Sequence, residues 1–410
     1  MLYGAQLLSM ALNFGFVVIV GRAMSQEEFG VYSFCVNSVL LFLSYLFEFG
    51  VFAAGARLLA IAPDPEAERR LLGALSIVGL GIGTLFSLTI AASGPIVEAF
   101  LDQSGHADAS VAGPLLAAAT LAFAIPMQQL AEQACQGTNR IGALAALRLA
   151  MPVASIALVS ALYAATGHLS PVPALLAYLG GYLAAALAVL AILKPSFAVR
   201  RDDFARIYSA VRDFGFDLYA GRVVGMMSTR LDQLLIPFFV GPRRWGAYSI
   251  AQRVSEPVSS LARTLATTRF KAFANAREVP VAFERWNMAI VGAAAAGLAG
   301  LGWFAFEIVF PNKYRNALPL FVPFAFSTFF AGLLQPYNMF LTAHGRGRSL
   351  RNISLALGAL NLVGLYAFTR RYGLAGAAWF AVVAMAFNFA LHLYYYRKLL
   401  KELEKQTDTA

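Results

Sequence analysis

Two stretches decide how this chain is organised: Val20-Gly21-Arg22-Ala23-Met24-Ser25-Gln26-Glu27-Glu28-Phe29-Gly30-Val31-Tyr32-Ser33 and Val240-Gly241-Pro242-Arg243-Arg244-Trp245-Gly246-Ala247-Tyr248-Ser249. Each places a Val-Gly-x turn ahead of an aromatic-Gly-x-Tyr-Ser segment, and each sits between two long apolar runs. A second echo pairs Cys135-Gln136-Gly137 through Arg140 with Ala343-His344-Gly345 through Arg348. Recurrence at this spacing makes the halves two copies of one structural unit.

The repeats lie in a chain built for lipid. Of 410 residues, 59% are apolar or aromatic and 13% are Asp, Glu, Lys or Arg, with a mean hydropathy of +0.65. Soluble domains average about 45–50% and about 25%, so too little polar surface is left to cover a water-exposed body. About twenty apolar residues cross a bilayer core. About twelve such stretches follow one another, near residues 2–20, 31–59, 71–92, 111–135, 141–165, 171–193, 214–240, 247–269, 286–310, 317–341, 350–368 and 374–396. The second, seventh and eighth carry charge. The first lacks a basic n-region and a small-residue cleavage site, and reads as a retained span rather than a secretory signal. Both repeat pairs lie six spans apart, an even number, so the halves keep one orientation and are parallel repeats. The expected fold class is all-α and polytopic: a bundle at 1–193, a basic linker at 194–213, a second bundle at 214–396 and a basic tail at 397–410. In the linker, Phe197, Phe204, Ile207 and Val211 alternate with arginines, which suits a short interfacial helix or a solvated connection.

The formal charge of +10 would serve nucleic acid only if it clustered on one water-facing surface. It is spread over short loops instead. The even-numbered connections with their adjoining helix ends, and the C-terminal tail, hold 21 of the 32 Lys and Arg, among them Arg69, Arg70, Lys194, Arg200, Arg201, Lys271 and Arg277; the odd ones hold 7. The positive-inside bias then puts both termini in the cytoplasm. Four arginines remain, Arg148, Arg222, Arg230 and Arg253, all inside spans. Cys35 and Cys135 sit in apolar segments, so neither a disulfide framework nor a CxxC-type metal site is available.

At Gly21 to Phe34, GRAMSQEEFGVYSF resembles the signature at the first extracytoplasmic turn of Wzx-like polysaccharide flippases, the polysaccharide transport family of the multidrug/oligosaccharidyl-lipid/polysaccharide (MOP) exporter superfamily. Ser228-Thr-Arg-Leu-Asp232 running into Val240 to Ser249 is similar to that family's seventh-to-eighth-span segment, and Tyr372-Gly-Leu-Ala-Gly-Ala-Ala378 to the start of its span twelve. The likeness covers essentially the whole chain and identifies family better than substrate. One departure is a first span that starts almost at Met1, without the short basic leader such proteins usually carry, so the start is expected to be trimmed or its anchor missing. The resemblance implies two six-helix bundles around a central cavity. They would move undecaprenyl-diphosphate-linked oligosaccharide repeat units across the bacterial inner membrane by alternating access, for O-antigen, capsule or exopolysaccharide synthesis. It also implies association with a polymerase and glycosyltransferases. A cation-coupled multidrug exporter of the same superfamily is the alternative.

Charge within a span costs about 2.5–3.5 kcal/mol at the helix centre on insertion scales, and usually faces a cavity or a partner. In span eight, Ser249, Gln252, Arg253, Glu256, Ser260, Arg263 and Thr267 step by threes and fours into one polar stripe, opposite Val254, Val258, Leu261 and Leu265. The stripe reads as cavity lining, with a buried seam and an internal Arg253–Glu256 pair as the other reading. In span seven, Arg222 and Arg230 suit a diphosphate, since Arg binds phosphate oxygens bidentately; Arg230 could instead pair with Asp232 or Asp217. In span two, Ser33, Asn37, Ser44 and Glu48 fall along one face, Asn37 in the place of Arg253. Glu48 and Asp232 are the candidates for coupling to H+ or Na+, and Glu48 is equally a candidate counter-ion of a neighbouring arginine. Arg148 and Glu132 could pair across spans five and four. The carboxylates Glu48, Glu132, Asp217, Asp232 and Glu256 offset the arginines, so net positive charge in a cavity is not established. Pro126 and Pro336, at repeat-related positions, are bend points or static kinks. Tyr394, Tyr395 and Tyr396 beside Arg397 and Lys398 read as an interfacial anchor.

No enzyme is expected, and no cofactor or metal: the sequence has no P-loop and no His-Glu-x-x-His, and His106, His168, His344 and His392 read as scattered over loops and termini. The longest extracytoplasmic connection, 93–110, carries Glu98, Asp102 and Asp108 but is too short for a catalytic domain.

Overall fold

In lipid, backbone polar groups must be satisfied within the segment, so apolar runs of this length become helices. The computed structural model describes residues 2–105, 110–310 and 313–408, and every secondary-structure element among the described residues is helical. The first half runs α1 (Leu2–Ala23), α2 (Gln26–Ser33), α3 (Phe42–Leu46), α4 (Val51–Ala60), α5 (Pro65–Gln103), α6 (Ala112–Ala119), α7 (Ala124–Gly137), α8 (Ile141–Thr166) and α9 (Pro171–Leu193). Then come α10 (Arg201–Ala210), α11 (Phe216–Val240), α12 (Pro242–Thr268), α13 (Phe270–Ala274), α14 (Val281–Val309), α15 (Phe321–Leu333), α16 (Gln335–Ala343) and α17 (Gly347–Asp408). π-helical turns join α2 to α3 (Phe34–Leu41) and α10 to α11 (Val211–Gly215). Eight of these stretches are long and apolar enough to cross a membrane, nine if α6 and α7, bent by 48°, form one pass. α17 is two passes broken at Gly373 (φ 60°), and α11 and α12, both of which carry charge, complete a twelve-pass polytopic membrane protein.

Several expectations are refined. The second pass is not one helix over 31–59: it begins at Gln26, widens into π-turns and stops at Leu46. Ser33, Asn37, Ser44 and Glu48 therefore do not share a helical face. The third pass extends to Gln103 through Pro95, so Glu98 and Asp102 are helical rather than in a loop, while His106 and Asp108 lie outside the described residues. Pro126 is the third residue of α7 and Pro336 the second of α16, each just after a break at 120–123 or at Leu334. Both prolines thus occupy a first helical turn, where a missing N–H costs nothing.

The chain divides into two compact units, Met1–Val223 with Gly241–Gly246, and Val224–Val240 with Ala247–Ala410. In the first, Phe52, Leu71, Leu75, Leu130, Leu147 and Leu190 belong to one core. The basic linker is docked on it. Ser196 N–H donates to the Arg69 carbonyl at 2.9 Å, Ile207 is buried in the core, and Arg57 lies 5.0 Å from the centre of the Phe214 ring. Phe204 and Tyr208 of α10 face outward. Within the linker, Arg201–Ala210 form the helix α10.

The repeated stretches meet within this unit. Ser25 Oγ accepts from Glu28 N–H at 3.2 Å while the Glu28 carboxylate accepts from Ser25 N–H at 2.9 Å, a capping box that fixes the start of α2. Gly30 then packs on the first turn of α12: a Cβ on Gly246 would lie 2.9 Å from the Gly30 Cα, and one on Gly30 would be 2.8 Å from the Arg243 carbonyl oxygen and collide with that of Pro242. Glu27 and Arg243 form an ion pair at 3.1 Å across the same contact.

In the second unit, Phe273, Phe340, Leu341, Ile353, Tyr396 and Leu399 share a core. Tyr396 is buried there and accepts from the Val279 N–H at 3.0 Å, so of the three consecutive tyrosines only Tyr394 is well exposed. His392, expected near a terminus, is a buried member of α17, its Nε2 accepting from Asn338 Nδ2 at 3.0 Å and its Nδ1 meeting the Asn388 carbonyl at 2.9 Å.

Overpacking a close helix contact costs about 1–3 kcal/mol. Gly30→Leu is expected to lower the apparent Tm of the purified protein in detergent, whereas Gly113→Leu, with nothing within 4 Å of its Cβ position, leaves it unchanged; equal Tm values for the two would refute the contact.

Candidate functional site

The charged residues picked out by the sequence fall into separate clusters, and the most completely built one surrounds the break in the second pass. The segment 47–50 leaves the helix with positive φ at Phe49 (47°) and Gly50 (72°). Left-handed backbone is natural for Gly and costly for Phe, so something must hold it. A Cβ on Gly50 would run into the Gly215 carbonyl. Only glycine therefore allows the start of α4 to touch the π-turn ahead of α11. Tyr219 Oη donates to the Leu46 carbonyl at 2.8 Å, satisfying one of the acceptors that a helix end leaves open. Phe47, Phe49, Phe86 and Tyr219 pack around the break in edge-on and tilted pairs, with ring centres 5.4–6.0 Å apart.

Glu48 sits inside this break. Its two carboxylate oxygens accept from a single nitrogen, Arg222 Nη1, at 2.5 and 2.6 Å. The Glu48 side chain is closed off and that of Arg222 is not: they are 5% and 40% exposed. Glu48 is therefore the counter-ion of a neighbouring arginine, the role left open beside coupling. Tyr219, Gly50 and Gly215 were not singled out from sequence. The signal available was Phe47-Glu48-Phe49-Gly50, a carboxylate and a glycine interrupting an apolar run.

Arg148 anchors a second cluster in the same unit. It donates to Glu132 Oε1 at 2.8 Å and Gln6 Oε1 at 2.7 Å, and Gln128 Nε2 donates to Glu132 Oε2 at 3.1 Å. The cross-helix pair with Glu132 is present, and Gln6 of α1 joins it. Asn37 is buried in the π-helical turns, its side chain donating to the Ser33 carbonyl at 3.0 Å; it is folded back onto its own helix rather than presented on a surface.

In the second unit, Gln252 Nε2 donates to Asp232 Oδ2 at 3.0 Å, joining α12 to α11, and Arg230 Nη1 donates to Gln233 Oε1 at 3.3 Å. The side chain of Asp217 lies outside the described residues. Gln252 and Arg253 are half-buried and Glu256 is exposed. Leu261, on the opposite, apolar side, is exposed as well, so burial does not separate a polar from an apolar face on α12. Among the described residues, no group of three or more His, Cys, Asp or Glu is arranged to hold a metal ion.

Residues 1–277 match the family described as "Polysaccharide biosynthesis protein", and the chain belongs to it. No curated protein matches the sequence. Among solved structures, an inward-facing multidrug resistance MATE family transporter of the MOP superfamily superposes with a TM-score of 0.76 at 13% identity over 97% of this chain and 96% of that one. The lipid II flippase MurJ in an inward closed conformation gives 0.74 at 13% identity over 97% and 88%, and a MOP superfamily transporter from Pyrococcus furiosus 0.58 at 12% over 98% and 94%. At these identities the likeness is one of fold: the chain has the fold of the MOP transporters.

Removing one partner of a fully buried ion pair costs about 3–5 kcal/mol, because the other charge is stranded. The Arg222 side chain is not fully buried by protein, so less than that is expected here. Arg222→Met should lower the Tm more than Glu48→Gln does, and the E48Q/R222M double variant should recover part of the loss. A double variant no more stable than R222M would show that the pair has no energetic coupling.

Proposed function

We propose that this member of the polysaccharide biosynthesis family is a flippase. It carries undecaprenyl-diphosphate-linked oligosaccharide repeat units from the cytoplasmic to the outer leaflet of the bacterial inner membrane by alternating access, with both termini cytoplasmic. The observation that carries the reading is the partly exposed Arg222 side chain within a membrane pass, in a chain where only 13% of residues are charged. An arginine kept there at such cost suits a cargo with a fixed negative charge, and a diphosphate matches its donor fork. The MOP fold, shared with a lipid II flippase, agrees with a lipid-linked cargo.

Arg222 is assigned the first contact with the diphosphate. Arg230, Gln252, Arg253 and Glu256 of the second unit, and Asn37 and Arg148 of the first, are assigned further contacts with phosphate and sugar. Coupling to an H+ or Na+ gradient falls to Glu48 and Asp232, the carboxylates held against Arg222 and Gln252. Supply of the cargo by glycosyltransferases and its consumption by a polymerase follow from its chemistry.

Deletion of the gene should leave the lipid-linked glycan on the cytoplasmic leaflet, and the wild-type chain should restore export. Arg222→Ala and Arg253→Ala should each abolish export at normal protein level. Full export by the double variant would sink the diphosphate assignment, and altered drug resistance with normal export would favour a cation-coupled multidrug exporter.

A further inference from the structure

The Glu48–Arg222 pair is lopsided in a way that a purely structural ion pair does not require. Arg has five N–H donors in a planar fork, and Glu48 takes both its bonds from one terminal nitrogen. The Arg222 side chain is 40% exposed against 5% for that of Glu48, and both bonds fall on one nitrogen of the fork, so donors remain for an anion that approaches the arginine while Glu48 is still in place. Two anions on one guanidinium repel each other, and in a poorly solvated site this repulsion is strong. The one with more charge and more acceptor oxygens keeps the arginine.

What Glu48 would leave behind is a strained segment. Residues 47–50 are held in left-handed backbone at Phe49 by the ion pair, by the Tyr219 bond to the Leu46 carbonyl and by the Gly50–Gly215 contact. With the ion pair gone, the turn loses its one charged tie and keeps the last two, the ring contacts of Phe47 and Phe49 and the Val51 N–H bond to the Glu48 carbonyl. The flanking elements are the π-turn at Val211–Gly215, already a departure from ordinary helix of a kind that recurs at functional sites, and α4, which starts at the break.

We infer that Glu48 is an internal stand-in for the cargo's phosphate on Arg222, and that arrival of a diphosphate displaces it and loosens the break at 47–50. This rests on the flippase reading above and adds to it the event that cargo binding triggers. Tyr219 is then a positioning residue, holding the helix end so that Glu48 reaches the arginine.

The test uses the full-length protein in nanodiscs with undecaprenyl diphosphate as probe and orthophosphate as control. Affinity is measured by native mass spectrometry, and backbone opening by amide hydrogen exchange of the peptide covering 46–52. The wild type should bind the diphosphate, and exchange at 46–52 should rise on binding. Glu48→Gln, which removes the competing charge, should bind roughly tenfold tighter, the equivalent of one charge-assisted bond, and exchange fast before any ligand is added. Tyr219→Phe should speed exchange at 46–52 without needing the diphosphate. Equal affinities for wild type and E48Q with unchanged exchange on binding would overturn the displacement while leaving the flippase reading intact. No diphosphate binding by either would overturn both. Should E48Q fail to fold, the wild-type exchange measurement decides alone: protection at 46–52 that stays constant or increases on binding refutes the inference.

Discussion

A carboxylate and a guanidinium inside a membrane are tolerable only together, and Glu48 with Arg222 hold the point at which the second pass stops being a helix. In lipid every carbonyl freed by a break needs a partner from the protein. Here the partners come from the π-turn and the start of α11: Arg222 for the carboxylate, Tyr219 for the Leu46 carbonyl, and Gly215 as a surface flat enough to receive Gly50. The docked linker, the π-turn that follows it and the opening of α11 thereby become part of the first compact unit, although they lie beyond its sixth pass in sequence.

Glycine supplies the other close contacts of the first unit. Gly30 meets the first turn of α12, and Gly73 would carry its Cβ into the Ser196 carbonyl of the linker. A helix lined by lipid gains little from burying apolar surface against another helix, and small residues that let backbones approach are the usual means of association. The aromatic-Gly-x-Tyr-Ser repeat is one such device used twice, and its two glycines, Gly30 and Gly246, pack on each other.

The polar side chains inside passes are mostly spoken for. Arg148 is shared between Glu132 and Gln6, Asp232 is held by Gln252, Asn37 by its own helix and His392 by Asn338. Against that background Arg222, bonded through one nitrogen and with a partly exposed side chain, has capacity to spare for an anion.

Much was legible in the sequence because it depends on composition and period. Apolar length dictates passes, since lipid leaves the backbone no partner but itself, and recurring motifs six passes apart dictate parallel halves. The pairing of Arg148 with Glu132 could be anticipated because both lie near one helix end, and Glu48 as a counter-ion could be named as an option. Tyr219, Gly50 and Gly215 could not, since their importance comes from a contact between residues some 170 positions apart. The sequence by itself therefore determined that this chain spans a membrane, in repeated halves, with a few costly charges. Only the tertiary structure decided which charges meet, where the second pass breaks, and that α10 docks, because each of these rests on distant backbones approaching closely enough for a side chain to complete the other's hydrogen bonds.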